Sequence, residues 1–271
     1  MDEQQPIRVA VVGAMGRMGR EVLKALTPTE GFEIVVAVDH NEVGTNLREV
    51  LGPRGPNVIV EAKLGQALDN APADVMVDFS SHAGAATHAI SAIKRGVAPV
   101  IGTTGMPTDE LKDIALQCDE SKVPGIYAPN FAVGAVLMMR FAQLAAKFMP
   151  DAEIIEMHHD KKEDAPSGTA MLTAELIDAG RKAAPTPKHT LNPRLEGVRG
   201  GRWHDTPIHS VRLQGLVAHQ MVIFGGPGET LTIRHDSLDR ASFMQGVKLC
   251  CREVRKLNGF VIGMDNVLFR S

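Results

Sequence analysis

Ile7-Arg-Val-Ala-Val-Val12, followed at once by Gly13-Ala14-Met15-Gly16-Arg17-Met18-Gly19, is the stretch that decides the fold. A short, β-branched, apolar run closed by glycine reads as a buried strand of a parallel sheet. The residues from Arg17 to Leu26 then read as a helix. A strand that turns through glycines into a helix is what a dinucleotide pyrophosphate requires. The turn must be tight, the backbone near the phosphates must lack Cβ atoms, and the helix N-terminus must offer its N–H groups. The spacing is G-x-x-G-x-x-G, so the general G-x-G-x-x-G fingerprint is not met, and a glycine pattern alone is weak. Its place between strand and helix carries the reading. The competing reading is a tight turn that binds nothing.

Working outward, the same rhythm repeats. Phe32–Val38 reads as a second buried strand, Asp74–Phe79 as a third and Val97–Ile101 as a fourth, with Gly125–Ala128 starting another. His82–Lys94 and Asp109–Cys118 read as helices between them. This alternation predicts an α/β fold, a Rossmann-like doubly wound parallel sheet. Asp39 ends the second strand, twenty residues beyond Gly19, where an acid accepts hydrogen bonds from adenosine ribose hydroxyls; otherwise it is a strand-end turn cap. Its charge opposes a 2′-phosphate, which His40 and Arg17 partly offset, so NADH is expected to be preferred and NADPH tolerated. Gly102-Thr103-Thr104-Gly105 and Ala128-Pro129-Asn130-Phe131 each follow a strand, at the carboxyl ends where ligands bind in open sheets. Small residues there let a nicotinamide ring approach the backbone. The plain alternative is a pair of ordinary turns.

After about Asn130 the pattern changes. Val133–Phe148 is a long apolar helix candidate stopped by Pro150, Ala152–His159 a strand and Thr169–Ala183 a helix. Pro185–Asp205, rich in Pro, Gly and Arg, reads as a loop. Three alternating stretches follow, Ile208–Leu213, Gln220–Phe224 and Thr230–His235, and then a helix over Ser242–Leu257. Strand after strand predicts a second, α+β domain with a mixed or antiparallel sheet. The expected division is 1–130, completed by 241–271, for dinucleotide binding, and 131–240 for substrate binding and oligomerisation.

Composition narrows the classes. The chain has 271 residues, 44% of them hydrophobic, enough to bury a full core. A net charge of -3 with scattered Lys and Arg gives no basic stripe for nucleic acid, and 4% aromatic residues build no stacking platform. Cys118, Cys250 and Cys251 form no disulfide framework, which fits a reducing compartment. The first residues, MDEQQPIR, read as neither signal nor transit peptide, and no apolar run approaches the roughly 20 residues of a membrane helix. A cytoplasmic protein is expected.

The most informative stretch is Glu153-Ile-Ile-Glu-Met-His158-His159-Asp-Lys-Lys162-Glu-Asp-Ala-Pro-Ser167-Gly168-Thr169-Ala170. Ser167 suits an N-cap. Gly168 and Thr169 then fall at the positive end of a helix, an anion site to which Lys162 adds charge. If His158 and His159 both continue the strand, they point to opposite faces. Each feature alone has a plain explanation: structural histidines, a solvated lysine pair, an ordinary cap. No Cys or third-ligand pattern supports zinc. Their coincidence within one short segment, downstream of a cofactor fold, points to chemistry.

Val9 to Gly19, Val100-Ile-Gly-Thr-Thr-Gly105, Ala128 to Gly134 and Glu153 to Ala170 resemble, in order, the successive motifs of 4-hydroxy-tetrahydrodipicolinate reductases. The His-His-x-x-Lys-x-Asp-Ala-Pro-Ser-Gly-Thr motif is highly specific, and the glycine spacing is that family's own. The resemblance implies that Gly13, Ala14, Met15, Gly16, Arg17 and Met18 hold the cofactor pyrophosphate and Asp39 the ribose. It implies that Gly102, Thr103 and Thr104, with Ala128, Pro129, Asn130 and Phe131, flank the nicotinamide. His158 corresponds to the proton donor/acceptor and Lys162 to a second proton donor, while His159, Gly168 and Thr169 bind the cyclic dicarboxylate. A homotetramer assembled through the second sheet is implied as well. Members that tolerate NADPH often carry Arg after the acidic residue, where this chain has His40. Two rivals remain: another two-domain dehydrogenase, and a non-catalytic NAD(P)H sensor, which would not need the His-His-x-x-Lys and Ser-Gly-Thr set.

Overall fold

The computed structural model describes residues 5–181 and 192–270. Among them two compact units form. One comprises the residues up to Phe131 together with those from Phe243 onward; the other lies within Ala132–Ser242.

The first unit opens with β1 (Ile7–Val12), α1 (Arg17–Leu26), β2 (Phe32–Val38), α2 (Leu47–Leu51), β3 (Val60–Glu61) and α3 (Leu64–Asn70). It continues with β4 (Val75–Asp78), α4 (His82–Ile93), β5 (Ala98–Ile101), α5 (Thr108–Ser121) and β6 (Gly125–Tyr127). The strands are parallel and lie in the order β6-β5-β4-β1-β2-β3. The chain winds one way from β1 and the other way from β4, so the switch point lies between those two strands. Every residue of β4 and β5 is buried, as both-face burial in such a sheet demands. The alanine-rich face of α4, with Ala85, Ala89, Ala92 and Ile93, closes the core against Val12, Met76 and Ile101.

The second unit contains α6 (Val133–Ala145), β7 (Asp151–His158), α7 (Gly168–Gly180), β8 (Gly201–Trp203), β9 (Thr206–Arg212), β10 (Ala218–Gly226) and β11 (Glu229–Ser237). Its sheet runs β11-β10-β7-β9-β8, with β7 and β9 parallel and the other pairs antiparallel. The helices α6 and α7 pack together over one face. On that face β7 buries Ala152, Ile154 and Glu156. The opposite face carries Ile155, Met157, Val211, Met221 and Ile223 and is only partly covered.

The chain then returns to the first unit through a 3₁₀ turn (Arg240–Phe243), α8 (Met244–Glu253), a second 3₁₀ turn (Val254–Lys256), β12 (Phe260–Ile262) and α9 (Asp265–Leu268). β12 pairs in parallel with β6 and makes the first sheet seven-stranded.

Several boundaries differ from the sequence reading. The expected strand Asp74–Phe79 is β4, Val75–Asp78, because Asp74 is held outside it by Arg8 through its backbone N–H at 2.9 Å and its guanidinium at 3.1 Å. The helix expected to reach Phe148 ends at Ala145, where the amides of Lys147, Phe148 and Met149 turn back onto Leu144 and Ala145 ahead of Pro150. The single helix expected over Ser242–Leu257 is broken at both ends into 3₁₀ turns. Of the expected loop Pro185–Asp205 and the end of the helix drawn to Ala183, residues 182–191 lie outside the described part. The rest of that loop contains β8. Among the described residues no helix is long and apolar enough to cross a membrane.

Candidate active site

At the switch point, a cleft of about 410 Å³ opens at the carboxyl ends of β1, β2 and β4. Gly13, Gly16, Asp39, Phe79, Ser80 and His88 are among the residues that line it. Gly13 sits at φ +74°, and a Cβ there would meet the Phe79 carbonyl oxygen at 2.6 Å. A Cβ on Gly19 would come within 2.0 Å of the Gly13 carbonyl oxygen, so this residue lets α1 press against the turn. Gly16 is the N-cap of α1 and makes no side-chain cap, so the first-turn N–H groups face the cleft mouth without a competing side chain. Ala14 and Met15 are buried under the turn, whereas Gly16 and Arg17 are exposed and Met18 half-buried. A turn with no room for side chains, a helix N-terminus and an acid at the next strand end fit a dinucleotide.

Asp39 lies one residue beyond β2, buried, and its two carboxylate oxygens accept from the backbone N–H groups of Met15 at 2.8 Å and Asn41 at 2.9 Å. The acid thus braces the glycine turn, and each oxygen keeps a lone pair for a further donor. The exposed ring of His40 stands 3.4 Å from it.

On the neighbouring strands, Thr103 is buried and donates its hydroxyl to Asp78 at 2.7 Å. Asp78 has no exposed surface and also accepts from Ser80 Oγ at 2.8 Å and bonds His88 Nδ1 at 2.9 Å. Burial pushes this carboxyl up, but hydrogen bonds from His88, Ser80 and Thr103 outweigh that and hold it below the usual carboxylate range. The network fixes the Gly102-Thr103-Thr104 turn at the end of β5. At the end of β6, Ala128 donates its N–H to Ile101 at 2.9 Å, Pro129 and Asn130 follow at the surface, and the Phe131 ring packs on Phe79 at 5.6 Å. The two turns therefore sit side by side.

In the second unit β7 ends at His158, so the condition that both histidines continue the strand is not met. His158 shares the helix-covered face with Glu156, and its Nδ1 lies 2.5 Å from the Glu156 carboxylate. His159 is exposed beyond the strand end, and its carbonyl accepts from the Lys162 N–H at 3.2 Å. The Lys162 ammonium pairs with Asp164 at 2.7 Å, where it had been expected to add charge to the helix terminus. The Asp164 carboxyl is lowered by that lysine. Ser167 caps α7 by accepting from the Ala170 N–H at 3.2 Å, with Gly168 and Thr169 in the first helical turn.

Four residues with structural weight here were not singled out from sequence: Asp78, His88, Glu156 and Arg212. Glu156 has no exposed side-chain surface. Burial pushes its carboxyl up, but hydrogen bonds from His158, Arg212 and Ser210 hold it down at about 2. One signal was available. In Asp151–His158 the two glutamates, Glu153 and Glu156, fall on opposite faces of a strand, so one of them had to face the core.

Known proteins now bear on this geometry. Family models described as dihydrodipicolinate reductase, N-terminus and C-terminus, match residues 7–131 and 134–268. The 4-hydroxy-tetrahydrodipicolinate reductase of Moorella thermoacetica is 47% identical, with 97% of this chain and 98% of that protein covered. That of Syntrophomonas wolfei subsp. wolfei is 46% identical, over 98% and 100%. A solved structure, dipicolinate-bound dihydrodipicolinate reductase from Paenisporosarcina sp. TG-14, superposes with a TM-score of 0.87 at 42% identity, covering 97% of this chain and 99% of that one. An amine dehydrogenase from Mycobacterium smegmatis, at 10% identity and a TM-score of 0.67, shares the fold alone. Fold and likeness together define a nicotinamide-nucleotide-dependent oxidoreductase with a dinucleotide-binding unit and a second mixed-sheet unit. The chain belongs to the dihydrodipicolinate reductase family.

Proposed function

We propose that this chain reduces 4-hydroxy-tetrahydrodipicolinate to tetrahydrodipicolinate in lysine and diaminopimelate synthesis. The observation that carries the reading is the second-unit cluster: His158 on a buried carboxylate, Lys162 four residues on, and the Ser167-Gly168-Thr169 helix start, all within one short segment of a chain matched at both halves.

Gly13, Ala14, Met15, Gly16, Arg17 and Met18 would hold the nucleotide pyrophosphate, and Asp39 the adenosine ribose. Gly102, Thr103 and Thr104, with Ala128, Pro129, Asn130 and Phe131, would flank the nicotinamide. When bound, the reduced nicotinamide supplies a hydride. The substrate takes that hydride and one proton and loses one water. His158 gives or takes the proton at Nε2, because Nδ1 is committed to Glu156. Lys162 is the second proton donor. One ring carboxylate is received by the positive end of α7 at Gly168 and Thr169, with His159 beside the same segment. Thr169→Val is expected to raise KM for the ring substrate roughly tenfold with kcat little changed, the signature of lost uniform binding; an unchanged KM would remove Thr169 from the carboxylate site.

NADH is the expected preferred cofactor, with NADPH tolerated, because Asp39 opposes a 2′-phosphate and His40, 3.4 Å from it, with Arg17 in the turn, offsets that only in part. Steady-state kcat/KM for the two nucleotides checks this, and a tenfold or larger preference for NADPH would contradict it. The partly covered face of the second sheet, with Ile155, Met157, Val211, Met221 and Ile223, supports assembly as a homotetramer. The cytoplasm, where the reduced nucleotide and a thiol-reducing environment coexist, is the expected location.

The test is a coupled assay. Pyruvate and aspartate semialdehyde are condensed by a separate synthase, and oxidation of NADH or NADPH is followed on adding this protein. Oxidation that needs both precursors supports the reading. No oxidation with either nucleotide, from folded protein that binds NADH, sinks it and favours a sensor or a different substrate.

A further inference from the structure

Glu156 is a fully buried carboxylate that the reaction itself does not consume. It gathers β7, β9 and the start of α7 at one point. His158 Nδ1 lies 2.5 Å from Oε2, and the Arg212 guanidinium meets both oxygens, at 3.0 Å on Oε2 and 2.8 Å on Oε1. The Ser167 N–H reaches Oε1 at 3.3 Å, just before α7 begins. Arg212 goes on to donate to the Asp164 carbonyl at 2.6 Å and the Lys162 carbonyl at 3.3 Å. The pleat explains the assembly: Glu156 and His158 share a face of β7, and Arg212 lies directly opposite His158 on β9. Ser210 on β9, opposite Glu156, also hydrogen-bonds the carboxylate, while Gln220, its cross-strand neighbour on β10, turns its amide to Thr173 at 2.7 Å. Lys162 and Asp164 form the nearest exposed ion pair.

We infer that Glu156 and Arg212 are a positioning pair for the reaction, Glu156 fixing the ring and the protonated nitrogen of His158, and Arg212 fixing the backbone that carries Lys162. The inference rests on the role proposed for His158 and Lys162. A carboxylate can only accept, so a bond this short places a proton on Nδ1 and directs Nε2 outward as the exchanging atom. The buried charge is tolerable only because a guanidinium meets both oxygens in fork geometry. One carboxylate thereby orients the imidazole, the start of α7 and, through Arg212, the Lys162 segment.

The first measurement needs no variant. Histidine-selective ¹⁵N NMR of the wild-type protein is expected to show His158 carrying a proton on Nδ1 whenever the ring is neutral. A neutral ring protonated only on Nε2 overturns the inference, whatever the substrate proves to be. The second compares Glu156→Gln with Glu156→Asp in the coupled assay, with folding confirmed by circular dichroism. In Glu156→Gln, kcat is expected to fall roughly 10–100-fold, the scale for groups that orient a functional histidine from behind, with KM changed less than about threefold. Its pH profile for kcat should shift, and His158 should lose its single protonated form. Glu156→Asp keeps the charge and should recover part of the loss. Full activity in Glu156→Gln alongside an inactive His158→Gln would sink the positioning role alone. Full activity in His158→Gln would instead sink the catalytic reading on which it rests.

Discussion

In His158→Gln, kcat for nucleotide oxidation in the coupled assay is expected to fall by roughly 10²–10⁴-fold, with KM for the ring substrate and for NADH within severalfold of wild type. The size follows from what is removed. Gln fills similar space and can still meet Glu156, but it has no group that both holds and releases a proton near neutral pH. Adding Lys162→Ala removes the proposed second proton donor and should take activity to the floor of the assay. The two losses are not expected to add as independent terms, because the residues act as a unit. A rise in KM alone would recast His158 as a binding residue.

The second large effect is on stability. Arg212→Met is expected to cost about 3–5 kcal/mol, because it strips both guanidinium contacts from the fully buried Glu156 carboxylate and leaves that charge without its fixed cation, held only by His158, the Ser167 N–H and Ser210. The pH dependence tests the cause. Glu156 is held at about 2 in the folded protein against an ordinary 4.5. Its folded-state pKa is therefore depressed, so the stabilisation is complete above about pH 4.5 and is lost as pH falls toward 2. Its full size is on the order of 3 kcal/mol. Wild type and Arg212→Met should thus differ most in urea unfolding near neutral pH and converge as the solution is acidified. A difference that stays constant down to pH 2 would mean that Arg212 acts through packing and not through the carboxylate.

Long, apolar and regular segments were legible from sequence. The run Ile7–Val12 and the glycine turn specify a buried strand entering a helix, and the structure has β1 and α1 at the stated residues. The Ser167 cap was legible too, because its chemistry is local. Residues 42–73 were not, since β3 has two residues and α2 five, too short for any period to develop. β12 escaped for the same reason. The groups behind the site were hidden by distance along the chain. Arg212 meets Glu156 from 56 residues away and Thr103 meets Asp78 from 25, and a polar residue in a strand ordinarily signals a solvated face. The Lys162–Asp164 pair was not legible, because a lysine two residues from an acid in an irregular segment has no period to say which way either side chain turns.

The return of the chain to the first sheet has a consequence for synthesis. Met244, Val247, Cys250 and Cys251 are buried on α8, which packs on α1, and β12 covers the edge of β6. When the ribosome has made only the residues up to Phe131, that sheet has an unpaired border and a bare apolar flank. The middle segment holds all the strands of its own sheet and can close as soon as it emerges. Maturation is therefore expected to run from the inside of the gene outward, with the amino-terminal half waiting for the last residues translated. A ribosome stalled just before Phe243 would carry a nascent chain whose middle resists protease while its beginning is still cut.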